Sequence, residues 1–464
     1  MYLSIQVFST FFLVFYCTQI GLANEPTNLS LDSIVSRALR YNRNLKSTSL
    51  DLSDSKITLQ TAKDVFDIKV DPLSSINYSS SEDEDETVWQ IGGEIKKKFK
   101  TGIDVKLLPS VEKGNEEYES GLGFSLAVPL LRGLGRDIAL DNVFTQEYGL
   151  DASYRSLHRQ RVNTMLETVS EVYSLIEEQE LVNLYEDQLK ALKWHLQSTI
   201  IKERAGIARS MDVYRAEIRI NDVEASLNQA KQRVADTSDR LKDLVALPFH
   251  QSINVSAPLE YTFISLDQNK AVQIALKNRI EIHQGRADIF EASRKEKVAK
   301  HNTLPDLKLE VGYTRRGIST NSDDIYLLRD DFWSAGLTSN TDFARSAEKN
   351  AWRKSRLAVE RQKINFETLQ KNIAQEVRSV LNSLVKAKER ILLQREQIIQ
   401  ATGKQRLAQI KFQYNEADNF DLIEAQTQLE QAKINLMSNE IQYIINGYRL
   451  RASMGTLIAY VPKN

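Results

Sequence analysis

Two carboxylates near the end of the chain, Asp421 and Glu424, stand three residues apart in a segment whose pattern predicts a helix. Residues at positions i and i+3 lie on one face of a helix, so the two side chains form a single acidic patch. Carboxylates that line a narrow passage favour cations and restrict its width. The ordinary alternative is that acids in a first helical turn oppose the helix dipole. Asp212 occupies a similar first-turn position in an earlier segment, and the same alternative applies to it.

The sequence contains no recognisable set of catalytic or metal-binding residues. The five histidines do not have metal-ligand spacing, and no nucleophile elbow or phosphate-binding loop occurs. We therefore expect no enzyme activity, no cofactor and no metal site. The formal net charge of -1 gives no reason to expect nucleic acid as a partner.

The first 23 residues predict a signal peptide. The apolar run from Phe8 to Tyr16 is too short to span a bilayer, and Gly21-Leu22-Ala23 offers small residues for cleavage. A buried strand or helix is the alternative. The only cysteine, Cys17, could be a lipid-attachment site, although the preceding residues lack the usual small side chains. No later stretch has 18 consecutive apolar residues, so the sequence predicts no transmembrane helix.

An internal duplication organises the rest of the chain. Ala38-Leu39-Arg40 recurs as Ala275-Leu276-Lys277, and Asp212-Val213 recurs as Asp421-Leu422. Each copy predicts a helix, an alternating segment, a very long helix, a tight turn and a return helix. A repeat of this size, with both a β part and a long helical part, indicates an elongated assembly.

The scarcity of proline predicts exceptionally long helices. None occurs between Pro129 and Pro248 or between Pro305 and Pro462. The long helices are expected over residues 136–204 and 342–414, each roughly 100 Å long at ~1.5 Å per residue. Shorter helices are expected over 31–68, with a break near Asn42, and over 211–246, 266–302 and 419–453. Residues 248–264 are expected to be irregular.

Alternating segments predict strands before each long helix. Leu122, Phe124, Leu126 and Val128 share one face of such a strand, and small or polar residues form the other. The first copy spans 178 residues from Ala38 to Ala216 and the second 150 from Ala275 to Ala425, which suggests one added hairpin in the first. Four to six strands cannot close a membrane barrel, whose smallest form needs about eight. Several copies would have to pool them, unless they form a soluble sheet with one wet face.

With these elements in this order, the chain resembles the TolC-type outer membrane efflux family. The resemblance spans essentially the whole mature chain. The motifs that support it are Ser30-Leu31-Asp32 with Ala38-Leu39, the run from Val128 to Gly133, Ala205-Gly206 with Asp212-Val213 and Ala216-Glu217, Leu304-Pro305-Asp306, and the run from Asp421 to Gln426.

The resemblance implies a homotrimer with one shared barrel in the outer membrane and a long α-helical tunnel in the periplasm. Such channels export drugs, metals or proteins with a periplasmic adaptor and an inner-membrane transporter. The family pattern has four strands per protomer, so an added hairpin would depart from it. The competing hypothesis is a periplasmic coiled-coil adaptor or scaffold, although such proteins carry one helical hairpin rather than two.

The resemblance also assigns roles to single residues. Asp421 and Glu424 match the family's constriction positions at the periplasmic mouth, where three copies would form two stacked acidic rings. Asp212 matches a residue that bonds the neighbouring helix pair and holds the closed state. Its family partners, a tyrosine and an arginine, are replaced by Phe412 and Ala417. Gly206 and Asn415 mark the helical tips that meet the adaptor.

The predicted fold class is mainly α with a β-barrel part: long antiparallel helical hairpins, transmembrane strands shared in a trimeric barrel, and an internal duplication. The predicted segments are the signal peptide (residues 1–23), the helix of repeat 1 (24–71), the first strand segment (72–131), the first long hairpin (132–247), a mid-length linker (248–265), the helix of repeat 2 (266–304), the second strand segment (305–341), the second long hairpin (342–455) and the tail (456–464).

Overall fold

A computed structural model describes residues 27–80, 85–114, 117–414, 416 and 419–460. The predicted signal peptide, Cys17, Asn415 and Ala417 lie outside these residues. The helices are α1 (Leu31–Tyr41), α2 (Arg43–Asp64), α3 (Arg136–Ala139), α4 (Asp141–Arg204), α5 (Ser210–Leu244), α6 (Gln268–Asn278), α7 (Ile280–His301), α8 (Ser346–Gln413) and α9 (Asn419–Ser453). The strands are β1 (Thr27–Ser30), β2 (Lys69–Ser80), β3 (Asp85–Lys98), β4 (Asp104–Lys113), β5 (Tyr118–Pro129), β6 (Ile253–Ser256), β7 (Leu307–Ser319) and β8 (Asp330–Ser339).

Two very long helices, α4 and α8, run through most of the molecule, as the scarcity of proline predicts. They contain 64 and 68 residues, so each extends over roughly 100 Å. Helix α5 folds back against α4, and α9 folds back against α8, which gives two long antiparallel hairpins. Among the helices of the described residues, none combines the length and the apolar character needed to cross a membrane.

The shorter helices of the two repeats break at equivalent places. The predicted break near Asn42 is confirmed, since Asn42 has a ψ of 130° and separates α1 from α2. The prediction of one continuous helix over 266–302 is wrong, because Arg279 has a ψ of 128° and separates α6 from α7. Arg279 forms ion pairs with Glu281 and Glu376, both at 2.9 Å. These contacts hold an extended residue where the local sequence offers no helix breaker.

Both breaks receive the end of a return helix. Asn42 donates from Nδ2 to the carbonyl of Leu244, the last residue of α5, at 3.1 Å. Arg279 donates from Nη1 to the carbonyl of Ser453, the last residue of α9, at 3.3 Å. The last carbonyls of a helix lack partners within the helix, so these side chains satisfy them. Helices α5 and α2 therefore meet end to end, and so do α9 and α7.

A six-stranded antiparallel sheet lies at one end of the molecule, in the order β2-β3-β4-β5-β7-β8. Four of its strands belong to the first repeat and two to the second, which is the inequality expected from one added hairpin. The sequence left the number of strands open between four and six, and the structure has six. Strands β2 and β8 are the two edges, and their residues are exposed along nearly their whole length.

The register gives the sheet two chemically different faces. Phe124 lies opposite Leu107 on one side and Tyr313 on the other, and Tyr313 lies opposite Trp333. This apolar face continues to the other edge, where Ile76 lies opposite Trp89. The opposite face, called the polar face below, carries mainly glycine, serine and charged side chains, and also Leu73, Leu108 and Phe332. Its residues include Ser75, Gly92, Glu94, Lys96, Lys106, Ser110, Gly121, Gly123, Ser125, Gly312 and Ser334.

A second, two-stranded sheet lies near mid-length and was not predicted. Strand β1 pairs in parallel with β6, with Leu29 opposite Val255. The expectation that residues 248–264 are irregular is therefore wrong for 253–256, which are held by a pairing with residues more than 200 positions earlier. Tyrosines fix the rest of this linker: Tyr173 donates to the carbonyl of Pro258 at 2.9 Å, and Tyr443 accepts from the amide of Ile264 at 2.7 Å.

The main apolar core surrounds this mid-length sheet. One cluster joins α1, α4, the end of α5, β6 and α9, and it includes the fully buried Tyr173 and Leu241. A second cluster joins α6, α7, α8 and α9 around Val377 and Ile391. Each repeat thus contributes its own cluster, and α9 contacts both.

Asn42 offers a test of the end-to-end junction. Its side chain is buried, donates to Leu244 and accepts from the amide of Leu45 at 3.1 Å. Asn42→Ala should lower the free energy of unfolding by about 1–3 kcal/mol, because a carbonyl and an amide both lose their partner. Urea unfolding followed by circular dichroism measures this change. The exposed neighbour Asn44 is the control, and Asn44→Ala should shift stability by no more than about 0.5 kcal/mol. Equal midpoints for the two variants would contradict the assignment.

Candidate functional site

The first helical tip joins α4 to α5 through residues 205–209. Gly206 has a φ of 73°, the left-handed conformation that glycine adopts without strain, which agrees with its predicted place in the turn. Asp212 lies in the first turn of α5 and is largely buried. Its Oδ2 accepts from the backbone amide of Arg209 at 3.1 Å, and its Oδ1 lies 3.8 Å from Nη1 of Arg215. The carboxylate therefore caps the helix that carries it.

The second tip joins α8 to α9 and carries the predicted acidic pair. Asp421 is exposed and Glu424 is half-buried, three residues apart in the first turns of α9. Oε1 of Glu424 accepts from Nζ of Lys404 at 3.2 Å and from Nε2 of Gln428 at 2.8 Å. Lys404 also donates to Oε1 of Gln428 at 3.0 Å. Glu424 thus has a positive partner on the facing helix α8, which sequence reasoning missed.

A contact between the two hairpins centres on Phe412, near the end of α8. The ammonium of Lys202 lies 3.7 Å from the centre of the Phe412 ring and donates to the Phe412 carbonyl at 2.8 Å. The ring of the buried His195 lies 5.0 Å from the Phe412 ring. Burial lowers the pKa of the Lys202 ammonium. The cation therefore meets both an aromatic face and the negative end of a helix dipole, two favourable interactions.

A smaller contact links the tips on the side of the return helices. The guanidinium of Arg215 lies 5.7 Å from the centre of the Phe420 ring, next to Asp421. Arg215 also forms the ion pair with Asp212. The three acidic residues singled out from the sequence are therefore connected: Asp421 and Glu424 share a face of α9, and Asp212 reaches that helix through Arg215 and Phe420.

The described residues contain no group of three or more His, Cys, Asp or Glu side chains arranged to hold a metal ion. The site instead consists of acidic side chains at the helical tips. Each contact described above involves a few side chains, so a single substitution can remove it. Phe412, which the resemblance matches to a family tyrosine, contacts Lys202 and His195 of α4. No signal in the local sequence marks these two residues, because both are brought to Phe412 by the packing of one hairpin on the other.

Comparison with known proteins identifies relatives of both the sequence and the fold. Residues 271–456 match the family described as outer membrane efflux protein. No curated protein sequence matches the chain.

Three solved structures have a similar fold over 92% of this chain. The outer membrane protein VceC from Vibrio cholerae has a TM-score of 0.72 and 15% identity over 96% of its length. The CmeC outer membrane channel of Campylobacter jejuni has a TM-score of 0.71 and 16% identity over 86% of its length. CusC, described in connection with transmembrane channel formation, has a TM-score of 0.72 and 13% identity over 92% of its length.

Phe412 offers a test of the contact between the hairpins. Phe412→Ala removes the ring that Lys202 and His195 contact, so the first tip should open more often and trypsin should cleave beside Lys202, Arg204 and Arg209 several-fold faster. Mass spectrometry of the fragments measures the rates. Tyr414→Ala is the control, because Tyr414 is an aromatic residue two positions later that is 75% exposed. Equal acceleration in both variants would contradict a role specific to Phe412.

Proposed function

We propose that this chain is an outer membrane efflux protein and forms one third of a trimeric exit duct across the outer membrane and the periplasm. The observation that carries the proposal is the open six-stranded sheet, apolar on one face and polar on the other, whose strands continue into long helical hairpins. Such a sheet has a face suited to lipid and a face suited to water. Among the residues that the structure describes, no further strand pairs with either edge.

Closure of the sheet requires other copies of the chain. In lipid an open edge leaves amide and carbonyl groups unsatisfied, at several kcal/mol each. Pairing β8 of one copy with β2 of the next removes every edge when three copies form a ring. The aromatic side chains Trp89, Phe124, Tyr313 and Trp333 then face lipid, and the glycine- and serine-rich face surrounds the pore.

The helical hairpins of three copies continue the pore as a tunnel. Helices α2, α4, α7 and α8 follow the sheet side by side, and α5 and α9 complete the wall toward the tips. The duct performs no chemical step. It lowers the barrier that a polar solute meets in the membrane, while an inner-membrane transporter supplies the energy. The tips around Gly206 and Asn415 are the sites for a periplasmic adaptor.

The acidic pair forms the gate of this duct. In the trimer, Asp421 and Glu424 make two stacked rings of carboxylates at the periplasmic mouth. Lys404 offsets part of the charge of the Glu424 ring. Rings of carboxylates bind cations and slow the passage of other ions. Asp212 stabilises the first tip beside this gate by capping α5 and pairing with Arg215.

Membrane fractionation and gel migration test the proposal as a whole. The protein should fractionate with the outer membrane and migrate as a trimer in unheated detergent samples and as a 53.0 kDa monomer, less any cleaved signal peptide, after heating. Heat-modifiable migration is expected because a closed barrel resists detergent until its strands separate. A protein recovered in the soluble fraction without a trimer band would exclude the exit duct and favour a periplasmic scaffold.

Conductance in planar bilayers tests the gate. Asp421→Asn combined with Glu424→Gln should abolish most of the block by divalent cations, because the rings lose their charge. Lys404→Gln should act in the opposite direction and increase the block, since it leaves Glu424 without its positive partner.

Glu217→Gln is the matched control, an exposed acid in the corresponding turn of α5 that should leave the block unchanged. Block that is the same in the wild type and the double variant would reject the acidic rings.

A further inference from the structure

The β3–β4 hairpin differs from the rest of the six-stranded sheet in how it joins the helices. Strands β2, β5, β7 and β8 each connect to a helix, whereas β3 and β4 connect to each other through residues 99–103 at the helical end. This turn is docked on the segment that leads into α3: Gly135 donates to the carbonyl of Thr101 at 3.1 Å. Gly102 has a φ of 95°, and a Cβ there would overlap the carbonyl oxygen of Gly133.

We propose that the β3–β4 hairpin widens the shared barrel to eighteen strands, so that the membrane pore is as wide as that of a general porin and size selection is left to the helical tips. The inference rests on the proposed trimeric duct. It also predicts which solutes the membrane pore can pass, namely bulky hydrated polar solutes.

The width of the helical tunnel supports eighteen strands. At the sheet end, each copy presents four helices in the order α2-α4-α7-α8, which pack as neighbours. Twelve helices at ~8–10 Å between axes occupy a circumference of roughly 100–120 Å. Strands ~4.8 Å apart and tilted by ~40° each occupy about 6 Å of circumference, so eighteen strands fill about 110 Å. Twelve strands at the same tilt would fill about 75 Å.

The polar face has the small side chains that an open lumen requires. Around the middle of the strands it presents mostly small side chains, with Leu73 and Leu108 as the larger ones: Ser75, Gly92, Ser110, Gly121, Gly123, Ser125, Gly312 and Ser334. Eighteen strands enclose about 35 Å between opposite backbones, and small side chains leave a free width of about 25 Å. Twelve strands would leave about 15 Å by the same geometry.

Several charges on this face form ion pairs, which limits the preference for ion sign. Near the helical end Lys96 pairs with Asp71, and Lys106 pairs with Glu94 at 2.6 Å. Toward the opposite end Arg316 lies 3.4 Å from Glu119. A wide lumen with balanced charge suits bulky polar solutes in general, which agrees with selection at another point along the duct.

Labelling of a cysteine in the lumen tests the width. Cys17→Ser is introduced throughout, and Ser125→Cys places a single thiol on the polar face of β5. Maleimide-tagged polyethylene glycols of graded diameter are then added from outside. Labelling should continue up to polymers of about 25 Å in the trimer. Thr320→Cys, in the exposed loop after β7, should react with every size and serves as the accessibility control.

A deletion of residues 85–113 is the matched comparison. It removes β3 and β4 and lets β2 join β5 through the remaining loop residues, which leaves four strands per copy. The polymer limit at Ser125→Cys should then fall to about 15 Å. A limit of about 15 Å already in the full-length trimer would overturn the inference, and so would a thiol that even the smallest polymer cannot reach.

Electron cryo-microscopy of the full-length protein in lipid nanodiscs decides the strand number if the deletion variant does not assemble. Eighteen strands in the ring are expected, and twelve would overturn the inference. A trimer with a twelve-stranded barrel leaves the exit duct intact and removes only the wide pore. Absence of a trimer band in the full-length protein removes the proposed duct itself, so the two failures are distinguishable.

Discussion

The unpaired edges of the six-stranded sheet are the constraint from which the rest of the molecule follows. Strands β2 and β8 expose a row of backbone donors and acceptors, and six strands are too few to roll up and pair them. In the proposed trimer, neighbouring copies supply the missing strand partners. That trimer also requires the helices next to the strands to continue side by side, which agrees with the row α2-α4-α7-α8.

Local sequence predicted the elements whose signals lie within a few residues. The alternation from Leu122 to Val128 identified a strand, and the scarcity of proline identified α4 and α8. Features held by distant residues were missed. Arg279 breaks its helix because Glu281, Glu376 and the carbonyl of Ser453 hold its side chain. Strands β1 and β6 pair in parallel and come from distant parts of the chain. Each has only four residues, so neither gives a clear strand pattern in the local sequence.

The same division applies to the candidate site. Asp421 and Glu424 share a face because of helical periodicity alone, so their juxtaposition was predictable, and the capping of α5 by Asp212 is equally local. Lys404 meets Glu424 only through the register between α8 and α9. Lys202 and His195 meet Phe412 only because two hairpins pack together. The sequence therefore predicted which charged residues lie at the tip. The structure adds the contacts that partly neutralise their charge or fix the position of the tip.

The end-to-end junctions at Asn42 and Arg279 have a mechanical consequence. At mid-length, α5 stops against the start of α2 and α9 stops against the start of α7, so only α4 and α8 cross that level without interruption. A torque applied at the tips therefore reaches the sheet directly through two continuous helices per chain, while α5 and α9 pass it on only through the bonds at their junctions. Of the four helices that adjoin the sheet, α2 and α7 thus receive a twist of the tips indirectly, which weakens the mechanical coupling between the tips and the strands.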